Sequence, residues 1–326
     1  MTTRRQELKL NFGILLPTRG LLMQGGQPKN IDKILDMAET AEQAGVESVW
    51  VGDSLTAKPR LEPLTVLAAV AARTRRVRLG TGVMLGALRH PVLLSHAAAT
   101  VDLISEGRLV LGMGVGGAFN DAQRQEWKNA GVDPSSRASR FEEVVHLLKR
   151  LTSGERVTHN GRHFQMEDVA IAPVSPNEGG TRVLIASHWR ANRDSQFERA
   201  ARLGDGVISI SDYPDEFTQV NDRVKFHAEA LGRDYDAMER VFYLTVNLTS
   251  DSDAATAEAD RFLKMYYGIN MWADRWGPFG APELAIERVR RYREAGAQTI
   301  VVRFASFEQE KQLDTFLTEV APAFKD

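Results

Sequence analysis

The sequence predicts an α/β fold, a (β/α)₈ TIM barrel formed as a single domain by residues 1–326. Eight short apolar runs alternate along the chain with segments whose apolar residues recur at helical spacing. Most of these runs are almost entirely apolar, which is typical of parallel strands covered by helices. An open doubly wound sheet also fits this alternation. We favour the barrel because eight units in about 300 residues match its size, and because no proline-rich or serine-rich linker marks a second domain.

The first four strands are predicted at residues 12–16, 48–51, 77–85 and 108–113. Pro17 closes the first run, and Asn30 is placed to cap a helix that ends at Gly45. A second helix is predicted over residues 64–71, where apolar residues share one face. Pro91 is well placed in the first turn of the third helix.

The last four strands are predicted at residues 183–186, 207–210, 241–248 and 299–304, with helices at 141–148, 196–203, 216–231, 254–267, 283–295 and 307–324. Three insertions interrupt the alternation. Residues 114–136, after the fourth strand, are polar and glycine-rich, and residues 155–175, before the fifth strand, contain the hairpin signal Asn160-Gly161. Residues 268–281, after the seventh strand, are rich in aromatic residues. This segment either covers an apolar pocket or forms a subunit contact, and both alternatives remain open.

The composition excludes several classes of function. Lysine and arginine total 41 against 43 acidic residues, for a net charge of -2, so no basic surplus is available for nucleic acid. The absence of cysteine excludes disulfides, thiolate metal sites and a cysteine nucleophile. No apolar stretch is long enough for a membrane span, and the first residues lack the pattern of a secretory signal. We therefore expect a cytoplasmic enzyme or ligand-binding protein that binds neither nucleic acid nor membranes.

A barrel of this type carries its site at the carboxyl ends of the strands. The candidates there are Asp53 after the second strand, Gly82 and Val83 at the end of the third, Gly114, Gly116 and Asn120 after the fourth, and Ser187, Arg190 and Arg193 after the fifth. For Asp53, helix capping and ligand contact are equally good interpretations.

Two of these segments suggest a bound phosphate or flat ring. Residues 112–117 match G-x-G-x-x-G, but no apolar helix follows at once, which disfavours a dinucleotide fold. Glycines there still let backbone amides approach a ring or a phosphate, or simply form a turn. Residues 187–193 combine a hydroxyl, two guanidinium groups and a helix start, so they form either a phosphate site or a solvated helix start.

Other chemistry finds little support in the sequence. His159 and His163 flank a hairpin turn without a third ligand nearby, so no metal site is expected. No serine-hydrolase elbow is present, and no residue stands out as a catalytic acid or base.

Several segments, taken in order, resemble the bacterial luciferase-like family of flavin-dependent oxidoreductases from residue 12 to about residue 304. They are VWVGD at 49–53, RLGTGV at 78–83, RHP at 89–91, EGRLVLGMG at 106–114, AARLGDGV at 200–207, GAPE at 280–283 and EAGA at 294–297. The resemblance implies a (β/α)₈ barrel that binds FMN or the deazaflavin F420 at the carboxyl rim, in a dimer or higher homo-oligomer.

The resemblance also implies roles for the candidate residues. A cis peptide bond between Gly82 and Val83 would support the ring, and Gly114, Gly116 and Asn120 match positions near the ring and ribityl chain. Ser187 and the helix start that includes Arg190 and Arg193 match the phosphate site. Arg108 matches an arginine near the flavin phosphate, although it can equally form a turn salt bridge with Glu106. Sugar-phosphate dehydrogenases of this family carry a histidine and a glutamate where this chain has Ser54 and Gly117, which disfavours glucose-6-phosphate as the substrate.

The resemblance favours an FMN-dependent monooxygenase that uses oxygen and reduced flavin, supplied by a separate reductase, on a small organic substrate. One alternative is an F420-dependent hydride-transfer enzyme, for which a basic rim of Arg19, Lys58, Arg60, Arg190 and Arg193 would suit the anionic tail of the cofactor. A second alternative is a non-catalytic flavin-binding protein.

Overall fold

Eight parallel strands form a closed barrel in the computed structural model, which describes residues 10–23, 25, 27–270 and 275–325. The barrel strands are β1 (Asn11–Leu15), β2 (Ser48–Val51), β3 (Arg78–Met84), β4 (Leu109–Met113), β5 (Arg182–Ala186), β6 (Gly206–Ile210), β7 (Glu239–Leu248) and β8 (Thr299–Phe304). Closure is visible in the register, because Asn11 of β1 pairs with Thr299 of β8. The predicted (β/α)₈ barrel is therefore confirmed, and the open sheet is excluded.

Helices cover the outer face of the barrel. They are α1 (Gly20–Met23), α2 (Asp32–Gln43), α3 (Pro63–Arg73), α4 (Pro91–Ile104), α5 (Asp121–Asn129), α6 (Arg137–Thr152), α7 (Ser195–Leu203), α8 (Pro214–Ala230), α9 (Ser252–Tyr267), α10 (Pro282–Glu294) and α11 (Gln309–Thr315). Pro91 begins α4, as predicted. The closing helix was predicted as one element, but after α11 the chain continues as a π turn and a 3₁₀ turn. No described helix is long and apolar enough to cross a membrane.

The apolar interior has two main layers. The larger one lies between the strands and the helices, and the smaller one fills the barrel. Trp50 dominates the inner layer, where its indole N–H donates to the hydroxyl of Ser48 at 2.8 Å. A Cβ on Gly80 would lie 2.2 Å from the Trp50 ring, so this glycine makes room for the tryptophan. Packing, rather than a ligand, explains the first glycine of β3.

The three predicted insertions differ in structure. The first, at 114–136, contains helix α5, which the sequence analysis did not identify. The second contains the predicted hairpin, formed by Val157–Asn160 and Gln165–Val169. In the third, residues 271–274 lie outside the described residues, and Phe279–Gly280 pairs with the end of β7.

Candidate active site

A cavity opens at the carboxyl ends of the barrel strands. Its floor is mostly apolar and is formed by Gly82, Val83, Ala186, Ile208, Ile210 and Tyr243. Its walls carry polar and charged groups from the loops after β2, β5 and β6 and from the end of α9. The site therefore lies at the end of the barrel where the sequence predicted it.

The end of β3 shapes the cavity floor. The peptide bond between Gly82 and Val83 is cis, as the resemblance implied, and the pairing with β4 shifts register between Gly82 and Met84. Opposite this bulge, a Cβ on Gly114 would lie 2.9 Å from Cγ2 of Val83 and 3.5 Å from Cβ of Ala186. Gly114 thus leaves the floor between these two side chains free of projecting atoms.

Asp53 lies at the cavity, but its carboxylate is engaged within the protein. Only 1% of its side chain is exposed. One oxygen accepts from the backbone N–H of Leu85 at 2.8 Å, and the two oxygens accept from the Arg89 guanidinium at 2.6 and 3.0 Å. The cap of α3 is Glu62 instead. Asp53 therefore ties the loop after β2 to the loop after β3 and fixes the cavity wall between them.

Helix α5 supplies a buried carboxylate that the sequence analysis missed. Glu126 accepts from the Ser54 hydroxyl at 2.7 Å and from the backbone N–H groups of Thr56 and Ala57 at 2.8 and 3.0 Å. These bonds hold the loop after β2 against α5. The signal for this helix was present, since Asn120 precedes a segment in which Glu126 and Trp127 are the buried residues.

Two candidates after β4 serve this helix rather than the cavity. Asn120 is exposed, and its side chain accepts from the backbone N–H of Gln123 at 2.9 Å, so it caps α5. Gly116 has φ +82°, and a Cβ there would lie 2.9 Å from the Trp127 ring. The neighbouring Gly117 does line the cavity.

The predicted phosphate site after β5 lies outside the lining of the cavity, and it stays a prediction. The Ser187 hydroxyl is buried and donates to the carbonyl of Gln196 at 3.3 Å. Arg190 and Arg193 are exposed and are not among the residues that line the cavity. Asp194 is the N-cap of α7 and forms an ion pair with Arg223 at 2.6 Å. A carboxylate at this helix start already interacts with the positive end of the helix dipole and would repel a phosphate.

The role expected for Arg108 is corrected by its position. It precedes β4 and so lies at the amino end of the strand, opposite the cavity. Its guanidinium donates to the carbonyls of Val77 at 2.8 Å and of Ala71 at 3.2 Å. Its partners are carbonyls and a hydroxyl near the end of α3 rather than Glu106, and burial lowers its pKa. Arg108 therefore fixes the base of the barrel.

A histidine and an aspartate that the sequence analysis did not select lie together on one wall. His188 follows β5 and lines the cavity, and Asp212 follows β6 and is buried. Oδ2 of Asp212 accepts from the backbone N–H of Trp189 at 2.9 Å and from the Ser209 hydroxyl at 2.7 Å. Within the described part of the chain, neither Nδ1 of His188 nor Oδ1 of Asp212 has a hydrogen-bond partner.

Burial controls the protonation of this pair. It lowers the pKa of His188 against the opposing effect of the Asp212 charge, and it raises the pKa of Asp212 against the effects of His188 and Ser209. A neutral imidazole beside a carboxylate that accepts protons readily is suited to proton transfer. The signal in the sequence was that both residues follow neighbouring strands.

The opposite wall is cationic and aromatic. Lys58 and Arg60, from the loop after β2, line the cavity together with Tyr266 and Tyr267 at the end of α9. Arg60 donates to the Tyr266 hydroxyl at 3.2 Å, and the Lys58 ammonium lies 4.7 Å from the centre of the Tyr267 ring. Burial, together with the charges of Arg60 and other arginines, lowers the pKa of Lys58 to about 8.

No cluster of three or more potential metal ligands is found among the described residues. The two histidines of the hairpin have other partners, since His159 pairs with Glu143 at 3.3 Å and His163 bonds the Ser139 hydroxyl at 2.8 Å.

Comparison with known proteins places this geometry among flavin and deazaflavin enzymes. The sequence model of the luciferase-like monooxygenase family matches residues 10–298. F420-dependent glucose-6-phosphate dehydrogenases from Nocardia farcinica and Kribbella flavida are 28% and 29% identical, and each match covers 90% of this chain and 94% of the relative.

Solved structures share the fold. A monooxygenase from Streptomyces bottropensis superposes with a TM-score of 0.80 at 24% identity, over 97% of this chain and 100% of that one. An F420-dependent secondary alcohol dehydrogenase, solved with an F420–acetone adduct, gives a TM-score of 0.81 at 19% identity, over 98% and 100%.

Proposed function

Because this chain belongs to the luciferase-like monooxygenase family, we propose that it is an F420-dependent oxidoreductase that exchanges a hydride with a small organic substrate. The family and its named members support an enzyme with oxidoreductase activity and a flavin or deazaflavin cofactor. The choice of F420 follows the curated relatives, whose names specify this cofactor. The choice of hydride transfer is supported by His188 on the cavity wall and by the buried carboxylate of Asp212, whose charge acts on the imidazole.

The cavity fits a planar ring. Val83, Ala186, Ile208 and Ile210 give the floor an apolar surface, and the missing side chain of Gly114 keeps that surface free of projecting atoms. The polar side chains His188, Lys58 and Arg60 line the walls of the cavity rather than its floor. A deazaflavin ring bound there would supply hydride transfer. The protein's own contribution is to hold the ring, exclude water and move the accompanying proton.

His188 and Asp212 are the groups that would move this proton. An alcohol that loses a hydride from carbon must also lose its hydroxyl proton to a base. The imidazole of His188, which lines the cavity and is kept neutral by burial, is the base that would accept that proton. Asp212 would then stabilise the positive charge that forms on the imidazole ring of His188. Its own position is fixed by Trp189 and Ser209.

An FMN-dependent monooxygenase, the function favoured by the sequence, is the second candidate. The family description and the apolar cavity floor support it. Monooxygenase chemistry requires a bound flavin ring, oxygen and a substrate shielded from water. It does not require proton transfer by His188 and Asp212.

A paired titration and one substitution test the proposal. We expect the protein to bind F420 more tightly than FMN and to bleach the deazaflavin absorbance with a small alcohol. His188→Gln should slow this reaction by about 10²-fold or more, as expected for loss of a general base, with cofactor affinity unchanged. His163→Gln, in the hairpin, is the matched control and should keep full activity. Tighter binding of FMN, with oxygen consumption that His188→Gln does not alter, would favour the second candidate.

A further inference from the structure

Arg303 of β8 is a buried cation that forms no salt bridge with any residue the structure describes. Its side chain points into the barrel, and the residue is 2% exposed. The guanidinium donates to the hydroxyls of Tyr267 at 2.5 Å and Thr245 at 2.8 Å, and its Nε has no partner among the described residues. The rings of Tyr243 and Trp276 lie 5.4 and 4.4 Å from its central carbon.

Other arginines that are buried or half-buried in this chain are compensated more fully. Arg89 and Arg78 pair with the carboxylates of Asp53 and Glu239 at 2.6 and 2.8 Å. Arg240 donates to backbone carbonyls instead. The hydrogen-bond acceptors of Arg303 are two side-chain hydroxyl groups. Within the described ranges it donates to neither a carboxylate nor a backbone carbonyl. A guanidinium cannot discharge itself by losing a proton, and an unpaired buried charge is costly.

The same side of the cavity holds two more cations. Lys58 and Arg60 are half-buried against Tyr267 and Tyr266, and neither forms a salt bridge in the part of the chain that the structure describes. The carboxylate that acts on Lys58 is Glu126, but its Oε1 already accepts three hydrogen bonds. Positive charge therefore accumulates at one wall of a cavity with an apolar floor, with tyrosine hydroxyls as further donors.

We propose that this cationic wall, formed by Lys58, Arg60 and Arg303 with Tyr266 and Tyr267, binds the carboxylate of the substrate, so that the substrate is a small organic acid. The proposal rests on the proposed function, since the acid would enter beside the cofactor ring. Arg60 supplies a planar fork of donors that matches a carboxylate. Lys58 supplies a second charge, and Arg303 acts through the Tyr267 hydroxyl: it donates to that oxygen and leaves the tyrosine O–H free to donate to the acid.

The position of the wall favours the substrate over the anionic tail of the cofactor. Arg303 is enclosed behind Tyr267, and Lys58 and Arg60 line the cavity while half-buried against tyrosine rings. A tail with several carboxylates would instead extend into solvent. A compact substrate with a single anionic group can pair with the cations of this wall while the whole molecule stays inside the cavity.

Calorimetric titration with benzoate and its neutral analogue benzamide tests the proposal, on the free protein and on protein saturated with F420. We expect benzoate to bind at least about tenfold more tightly than benzamide, the size of effect that a charge-assisted hydrogen bond gives. Arg60→Gln should remove this preference, and Lys58→Gln should reduce it. Arg193→Gln removes an exposed arginine outside the cavity and should leave it unchanged. Thermal unfolding shows whether each variant is folded.

The outcomes separate the wall from the proposed reaction. Equal binding of benzoate and benzamide to the wild-type protein overturns the proposal, even if F420 binds and is reduced. It is also overturned if Arg60→Gln weakens binding of intact F420 but not of its deazaflavin core without the tail, since the wall then serves the cofactor. If benzoate is preferred through Arg60 while neither F420 nor FMN binds, the anion site stands and the proposed function fails.

Discussion

Substituting Lys58 by methionine should stabilise the protein at neutral pH. The lysine is held in the cavity wall, where burial and the charges of Arg60, Arg19 and Arg303 oppose its protonated form. Methionine keeps an unbranched apolar side chain against the Tyr267 ring but removes the ammonium group. The substitution therefore removes a charge that costs free energy in the folded state and little in the unfolded chain.

The pKa of Lys58 gives the size of this effect. It falls from 10.5 to about 8 on folding, and each pKa unit corresponds to about 1.4 kcal/mol, so the full difference corresponds to about 3.5 kcal/mol. The ammonium is partly exposed to solvent, which screens its interactions, and we therefore expect a stabilisation of about 1–2 kcal/mol. Below pH 8 both the folded and the unfolded chain hold the proton, and the penalty is complete. As the pH rises from 8 to 10.5 the folded protein releases the proton first, so the wild type regains this stability.

Urea unfolding at a series of pH values measures the difference. Lys58→Met should unfold at higher urea than the wild type at pH 7, and the gap should close as the pH approaches 10.5. Lys29→Met changes an exposed lysine and is the matched control, for which we expect no gap at either pH. A Lys58→Met protein that is no more stable than the wild type at pH 7 would show that the ammonium is not destabilised in the cavity wall. Benzoate should narrow the gap, because it should bind the wild type more tightly than the variant and so stabilise it more.

Three further substitutions test the site. Asp53→Ala leaves the Arg89 guanidinium without its buried carboxylate and should lower the free energy of unfolding by about 3–5 kcal/mol, measured in urea. Gly114→Val places atoms against Val83 at the cavity floor and should weaken F420 binding at least about tenfold in a fluorescence titration; unchanged affinity would place the ring elsewhere. Arg108→Ala should cost about 2 kcal/mol of stability through its lost carbonyl bonds, with cofactor affinity unchanged, whereas a weakened affinity would return this residue to the site.

The barrel was predictable from the sequence because most of its strands are short apolar segments that end at a polar residue, glycine or proline. Pro17 follows the first strand closely, and the run at 48–51 coincides with β2. Helix α5 was not predicted, because a polar segment within a glycine-rich insertion shows little apolar periodicity. Its buried Glu126 contacts the loop after β2, which adjoins α5 only in the folded chain, and its buried Trp127 donates to the carbonyl of Gly117 in the preceding loop.

The site was predictable in place but not in detail. Asp53 lies at the cavity because it follows the carboxyl end of a barrel strand. Arg108 precedes its strand and so lies at the opposite end of the barrel, where it cannot contact a flavin phosphate bound in the cavity. A serine hydroxyl can donate a hydrogen bond to a phosphate, but in the fold the hydroxyl of Ser187 donates to the backbone of α7 instead. His188 and Asp212 gain their chemistry from burial and from each other, and neither is visible in a pattern of residue types.

The cavity has two walls of different chemistry, one with the histidine and aspartate and the other with the cations. His188 and Asp212 follow β5 and β6, whereas Lys58 and Arg60 follow β2 and Arg303 lies in β8. In a closed barrel of eight strands β6 lies opposite β2, so the proton-transfer pair and the cationic wall face each other across the apolar floor. An acid bound by its carboxylate at one wall therefore directs its other end towards His188. Under the two proposals, the charge on one wall would set the orientation of the substrate, and the neutral imidazole on the other would receive the proton.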